Sequence, residues 1–169
     1  VVGSLPFQIT SPLIHKLLIG MPPHSSNPGL APNPGLSPAT APTITILIQK
    51  EVAEKIAAQP PNATYLSNFV QGLANVTYIQ KVPNTAFDPK PKVDGAIIKI
   101  EPHYNVLIDH NIKPCDWSSF LHKAFRHPRK MLRNTFNEKM LKEANINPRS
   151  RPQTLSTEEW ILLHKTICH

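Results

Sequence analysis

Cysteine is nearly missing from this chain. It occurs twice in 169 residues, at Cys115 and Cys168, far apart and outside any metal-ligand spacing. That excludes a disulfide-stapled scaffold and a cysteine zinc site, and it fits thiols kept reduced in the cytoplasm. Long apolar runs are missing too. None approaches the roughly 20 residues that a membrane span requires, and the opening residues carry no secretion-signal pattern. Acidic residues are few, eleven against eighteen Lys and Arg, and the shortage is local. Residues 1–112 hold seven basic and six acidic side chains, whereas residues 113–169 hold eleven and five. Between His122 and Arg133 five cations (Lys123, Arg126, Arg129, Lys130 and Arg133) stand without one acid. Such a surface favours a polyanion, of which a phosphate backbone is the commonest. The eight histidines are scattered without ligand spacing and are given no role.

What is present reads as an α/β pattern followed by helices. A chain of 169 residues with 40% apolar content can bury one core and a small appendage. Val1-Val2 predicts a strand end and residues 3–7 a loop. Thr10 or Ser11 can cap a helix with Pro12 in its first turn, running through Leu13, Ile14, Leu17 and Leu18 to Gly20. Seven of the 23 residues from 21 to 43 are Pro, which predicts an extended surface insertion. The β-branched run 43–48 suits a strand buried on both faces. Helices follow over 50–58 and 65–73, then strands over 76–82 and 93–100, joined by a loop rich in Pro and Lys. Beyond residue 112 the strands stop. Asp116 can cap a helix carrying Trp117, Phe120, Leu121 and Phe125, and a second helix is expected over 129–144. Ser156-Thr157-Glu158-Glu159 has capping-box spacing and opens the last helix. The expected division is 1–108 and 109–169.

Three segments can carry chemistry. Ser4-Leu5-Pro6-Phe7 follows a strand and precedes a helix, a position where α/β sheets bind ligands. It fits the [Asn/Asp/Ser]-x-Pro-[Tyr/Phe] pattern of enzymes that methylate exocyclic amines. An adenine N6 amine is a poor nucleophile because its lone pair is delocalised. A side-chain oxygen and a backbone carbonyl accepting its N–H bonds favour a tetrahedral nitrogen, Pro fixes the backbone, and an aromatic ring stacks on the extruded base. The second segment runs from Phe87 to Gly95 and contains Lys90 and Lys92. Phe87 there is either a second stacking face or a core residue. The third runs from Phe125 to Asn134, and its cations fit phosphate contacts.

Taken together, Ser4–Phe7, Ile9–Pro12, Gln49–Lys55, Phe87–Ala96 and Phe125–Asn134 resemble one family, the small-subunit rRNA adenine dimethyltransferases of the bacterial KsgA type. The matching patterns are Asn-Leu-Pro-Tyr, Ile-Thr-Ser-Pro, Gln-Lys-Glu-Val-Ala-Glu-Arg, Phe-x-Pro-x-Pro-Lys-Val-Asp-Ser-Ala and Phe-x-x-Arg-Arg-Lys-x-Leu-Arg-Asn, in the same order. The resemblance implies the C-terminal part of a Rossmann-like methyltransferase domain plus a small helical domain. It implies S-adenosylmethionine as methyl donor and dimethylation of two adjacent adenosines in small-subunit rRNA, on a 30S-type particle, by a monomer. Catalytic roles fall to Ser4, Leu5, Pro6, Phe7 and Phe87, with Ser4 also touching the donor. RNA contacts fall to Lys90, Lys92, Lys123, Arg126, Arg129, Lys130 and Arg133. Ser4 stands where the family has Asn, Gly95 where it has Ser, and Pro128 where it has the first Arg of the basic pair. The family's glycine-rich donor loop and its acidic ribose ligand precede this segment, so the chain by itself is expected not to bind the donor well. Two alternatives fit the same segments: a non-catalytic ribosome assembly factor, and the related dimethyltransferase of large-subunit rRNA. Val93-Asp94 and the Arg-Lys-x-Leu-Arg-Asn tail fit the small-subunit group better.

Overall fold

The computed structural model describes residues 2–4, 10–20, 43–102, 107 and 110–168. The side chains of residues 2–4, 10, 11, 17, 19 and 20 are not described, and the predicted Pro-rich insertion falls outside these residues. The elements are β1 (Val2–Ser4), α1 (Thr10–Gly20), β2 (Ile44–Gln49), α2 (Lys50–Ala57), α3 (Tyr65–Gln71), β3 (Ala74–Val82) and β4 (Gly95–Pro102). The helical end comprises α4 (Pro114–Phe125), α5 (Glu138–Glu143) and α6 (Thr157–Cys168). Short 3-10 turns lie at Asn84–Ala86, Leu132–Asn134 and Pro152–Thr154.

The four strands form one sheet in the order β1-β2-β4-β3. β1 runs parallel to β2 with Ser4 opposite Leu47, so Gly3 and Ser4 belong to the strand rather than to the expected loop. β4 lies antiparallel between β2 and β3, which is the expected closing pair. Its central place follows from its side chains, since Ala96, Ile98 and Ile100 are all buried. β2 is less enclosed than expected. Ile44, Ile46 and Ile48 are buried, but the alternate residues Thr45, Leu47 and Gln49 are only half-buried, so one face packs tightly and the other is partly open. In β3 the register slips between Tyr78 and Gln80. This bulge leaves Ile79 without an opposite residue and turns it to solvent, 49% exposed.

Helices α1, α2 and α3 form as their patterns predict, with local adjustments. α1 begins at Thr10 itself, so its cap position falls outside the described residues; Ile14 and Leu18 are buried. α2 buries Ala53 and Ile56. α3 is opened by a capping box, in which the Ser67 amide donates to Thr64 Oγ1 and the Thr64 amide to Ser67 Oγ. On α3 Leu66 is only half-buried, while Ser67 and Asn68 are buried beside Phe69 and Val70. Asn68 is admitted because its amide is satisfied: it donates to Thr64 O at 3.0 Å and accepts from Thr157 Oγ1 at 3.1 Å.

The helical end departs more. α4 starts at Pro114 after Lys113, and Asp116 lies in its first turn rather than at the cap. Pro at the first helical position has no N–H to leave orphaned. The long helix expected over 129–144 is broken. Leu132 N–H donates to Ser150 O at 2.8 Å and Arg133 N–H to Pro148 O at 3.0 Å, so the backbone bonds to a later segment instead of to itself. A new helix then starts only where the Asn137 side chain accepts from Lys139 N–H. α6 follows the expected capping box, with Ser156 N–H to Glu159 Oε2 at 2.7 Å and Glu159 N–H to Ser156 Oγ at 3.2 Å.

One core links the two ends. Buried residues from Ile14 to Leu163 form a single cluster. The two ends approach closely at Gly72, where a Cβ would come 2.6 Å from the Trp117 Nε1. Gly72 has ordinary right-handed φ, so the position demands glycine for close approach and not for conformation.

Candidate functional site

The strand end and the aromatic loop meet at one corner of the sheet. Ser4 ends β1 opposite Leu47; its side chain, and Leu5, Pro6 and Phe7 entirely, lie outside the described residues. Gly95 opens β4 opposite Gln49. A Cβ on Gly95 would lie 3.1 Å from Leu47 Cδ1 and 3.3 Å from Phe87 Cζ. Phe87 therefore packs at the carboxyl end of β2, beside the strand that carries Ser4. It is half-buried and does not belong to the core cluster. A Ser at position 95, the residue of the resembling pattern, would push the ring by a few tenths of an ångström.

Asp94, part of the Phe87–Ala96 segment, braces this corner. Its carboxylate accepts from Lys81 Nζ at 2.7 Å and from Asn84 N–H at 2.9 Å. Its carbonyl accepts from Lys50 N–H at 3.0 Å. Three elements are thus tied at one residue, which is also why the strand starts at Gly95 and leaves Val93 outside it, exposed. The Lys81 hydrogen bond, and then the Asn84 amide, hold the Asp94 carboxyl below the usual range, and Lys81 is raised in return. Between the first turn of α2 and this loop opens a cleft of about 400 Å³, with Gln49, Asn84 and Lys92 among its walls. Lys90 and Lys92 are exposed, and among the described residues neither makes an ion pair.

The second candidate surface is the basic one. Lys123, Arg126, Arg129, Lys130 and Arg133 are all exposed, and none has an acidic partner among the described residues. Lys123 Nζ sits 5.7 Å from the Phe136 ring centroid. The backbone bonds of Leu132 and Arg133 to Ser150 and Pro148 bring a later segment alongside. Arg151 Nε donates to Arg129 O at 3.1 Å, and Arg149 is exposed beside it. These two arginines extend the cationic surface, and sequence spacing could not find them because they lie about twenty residues downstream. Only the position of Arg149 and Arg151 between Pro148 and Pro152 hinted at an ordered turn there.

Behind that surface, two histidines left unassigned by the sequence form a stack. His15 lies 4.0 Å from the Phe69 ring at 7°, and Tyr65 lies 4.1 Å from His122. Tyr65 Oη is 3.2 Å from His15 Nε2 and 3.0 Å from Ser118 Oγ. The stack joins α1, α3 and α4. Burial, and then the neighbouring His122, lower the His15 pKa. Among the described residues no three His, Cys, Asp or Glu side chains gather as a metal site, and no helix is long and apolar enough to cross a membrane.

Comparison with known proteins gives this arrangement a family. The ribosomal RNA adenine dimethylase profile matches residues 1–168. The chain belongs to the ribosomal RNA adenine dimethylase family. Among curated relatives, the ribosomal RNA small subunit methyltransferase A of Nostoc sp. is 37% identical, covering 96% of this chain and 59% of the relative. That of Herminiimonas arsenicoxydans is 36% identical, covering 96% and 58%. The chain therefore spans under two thirds of the length of these relatives. Two solved structures share the fold. A dimethyladenosine transferase from Plasmodium falciparum superposes with a TM-score of 0.68 at 22% identity, over 96% of this chain and 65% of that one. The 23S rRNA methyltransferase ErmE gives 0.61 at 20% identity, over 99% and 64%. The small sheet with its helical end is thus a dimethylase fold, the mixed α/β architecture expected from sequence.

Proposed function

We propose that this chain is the target-base and RNA-binding part of an S-adenosylmethionine-dependent adenine N6,N6-dimethyltransferase of small-subunit rRNA. One observation supports the reading: Phe87 lies against Gly95 and Leu47 at the strand end next to Ser4, and a half-buried ring there suits stacking on a base. The names of the curated relatives support the small subunit as substrate over the large one. Residues 1–108 are then the catalytic part and 109–169 the RNA-binding domain, working on a 30S-type particle in the cytoplasm as a monomer. Lys90, Lys92, Lys123, Arg126, Arg129, Lys130 and Arg133 contact phosphates, and Arg149 and Arg151 join them.

The donor is another matter. By the family resemblance Ser4 alone of these residues would touch S-adenosylmethionine, and among the described residues no glycine adopts the left-handed φ of a tight glycine turn. These residues do not amount to a donor site. The role proposed for this corner is to hold the base: Ser4 and a neighbouring carbonyl would accept the N6 hydrogens, while Phe87 and Phe7, the latter outside the described residues, would stack on its two faces.

The test joins the donor-binding half of the Nostoc relative ahead of Val1 and follows radiolabelled methyl transfer to small-subunit rRNA. Phe7→Ala is expected to cost about 1–3 kcal/mol of base stacking, Ser4→Ala to slow transfer, and Ser4→Asn to preserve or raise it. The 169-residue chain alone is expected to bind RNA and transfer nothing. Full transfer by Ser4→Ala with Phe7→Ala would overturn the pocket. No transfer by the unmutated chimera, with RNA binding intact, would favour a non-catalytic assembly factor.

A further inference from the structure

The cleft between α2 and the 83–94 loop has an unusual balance of satisfied and unsatisfied groups. Its acids are engaged: Glu54 with Lys50 at 3.5 Å, Glu51 with Lys55 at 2.7 Å, and Asp94 with Lys81 at 2.7 Å. Its amides are not. Gln49 precedes α2 without capping it, and the carboxamides of Gln49 and Asn84 have no hydrogen-bond partner among the described residues, although both side chains are half-buried. Lys92 stands free at the rim. Neither amide is a buried orphan, since among the described residues only the Trp117 and Trp160 indole nitrogens are; both carboxamides are open on one cleft and free to take a partner that enters it. The walls are firm, because Asp94 ties Asn84 and Lys50 together through one residue.

We infer that this cleft, lined by Gln49, Asn84 and Lys92, holds a second, unstacked nucleotide of the RNA strand next to the target base. The reasoning is chemical. A carboxamide offers one acceptor and two donors in a plane, which matches the edge of a purine, adenine best of all. A free ammonium at the rim matches the phosphate that joins this nucleotide to its neighbour. The distance is short enough for adjacent nucleotides, since Gln49 pairs with Gly95 and Gly95 touches Phe87. The inference rests on the proposed reading of that corner as a base pocket. It adds a second position at which sequence is read, between the Gln49–Lys55 and Phe87–Ala96 segments.

The experiment measures binding of the 169-residue chain to a short-looped hairpin RNA, and to versions with one abasic nucleotide at each loop position in turn. Gln49→Ala with Asn84→Ala is expected to weaken binding of the intact loop about tenfold, in line with the discrimination a bidentate base contact provides. At one loop position the abasic RNA should show no further loss with this variant, because the contact is already gone. Lys92→Ala should lower the salt slope by about one unit. Arg129→Ala with Lys130→Ala serves as the separate control for the basic surface. If the amide variant binds every RNA as the unmutated chain does, or loses the same factor on all of them, the cleft assignment is overturned while the basic surface stands. If the unmutated chain shows no salt-dependent RNA binding, the proposed function falls and this inference with it.

Discussion

The sheet region, 43–102, and the helical region, 113–168, use charge in opposite ways. In the sheet region four of the lysines are engaged: Lys50 with Glu54, Lys55 with Glu51, Lys81 with Asp94 and Lys99 with Glu101. In the helical region the one ion pair among the described residues is a long one, Lys139 to Glu143 at 3.9 Å; apart from Lys165, half-buried and 3.1 Å from His110 Nδ1, the remaining cations are exposed. Their interiors differ too. The sheet buries isoleucines from β2 and β4, whereas the helical end packs rings, with Phe120 and Phe136 centroids 5.6 Å apart and Phe125 and Trp160 also 5.6 Å apart. Helices of six to twelve residues are too short to be stable alone. Large rings bury much area per residue, and this frees the outer faces for charge. The lesson is that cations count toward a partner only when the fold leaves them without acids.

The comparison breaks most easily where the two regions touch. Trp117→Ala is expected to cost about 3–5 kcal/mol by urea denaturation, the usual range for removing a fully buried large ring. Gly72→Ala should cost about 1–3 kcal/mol, because its Cβ meets the same ring in a packed core. A neutral Gly72→Ala would mean that the regions are not locked through this contact.

Next in size is the basic surface. Arg129→Ala with Lys130→Ala should reduce the slope of log affinity against log salt by about two units, one per lost phosphate contact. That is roughly a tenfold change over a fourfold range of salt, following the same relation. Lys55→Ala with Lys99→Ala, drawn from the engaged set, should leave the slope alone. Equal effects from both pairs would erase the distinction between the regions.

Acidification should loosen the joint between them. The folded His15 pKa lies below its ordinary value, so the unfolded chain binds the proton more readily. Stability is then whole above about pH 6.5, the ordinary histidine value, and declines as pH falls below it toward the folded pKa. Thermal melts at pH 7.5 and 5.5 should show the loss, and His15→Phe, which keeps the stack on Phe69 without the titration, should reduce it. Asp94 follows the carboxylate rule: its pKa is depressed, so its brace holds above about pH 4 and is lost as pH falls further. The smallest effect is expected from Lys139→Ala, within about 0.5 kcal/mol, as for other solvent-exposed pairs.

Much was legible in the chain because it depends on near neighbours. The capping box at Ser156, the β-branched run of β2, and the absence of acids between His122 and Arg133 are short-range features, and short-range features survive folding. The family could be recognised for the same reason, since its motifs are contiguous. The helix expected over 129–144 was misread because periodicity cannot see a competing backbone. Leu132 and Arg133 bond to Ser150 and Pro148, eighteen and fifteen positions on, and that competition exists only once the chain has turned back.

By itself the sequence determined the α/β class, the strand and helix order, the basic character of the end and the family. It could not decide which cations stay free, since that depends on which acids come within reach. Nor could it show that Asp94 joins three elements, that His15 and His122 meet across α3, or that Arg149 and Arg151 extend the surface begun at Lys123. Only the tertiary structure decided these, because each depends on a distance between residues that the chain holds far apart.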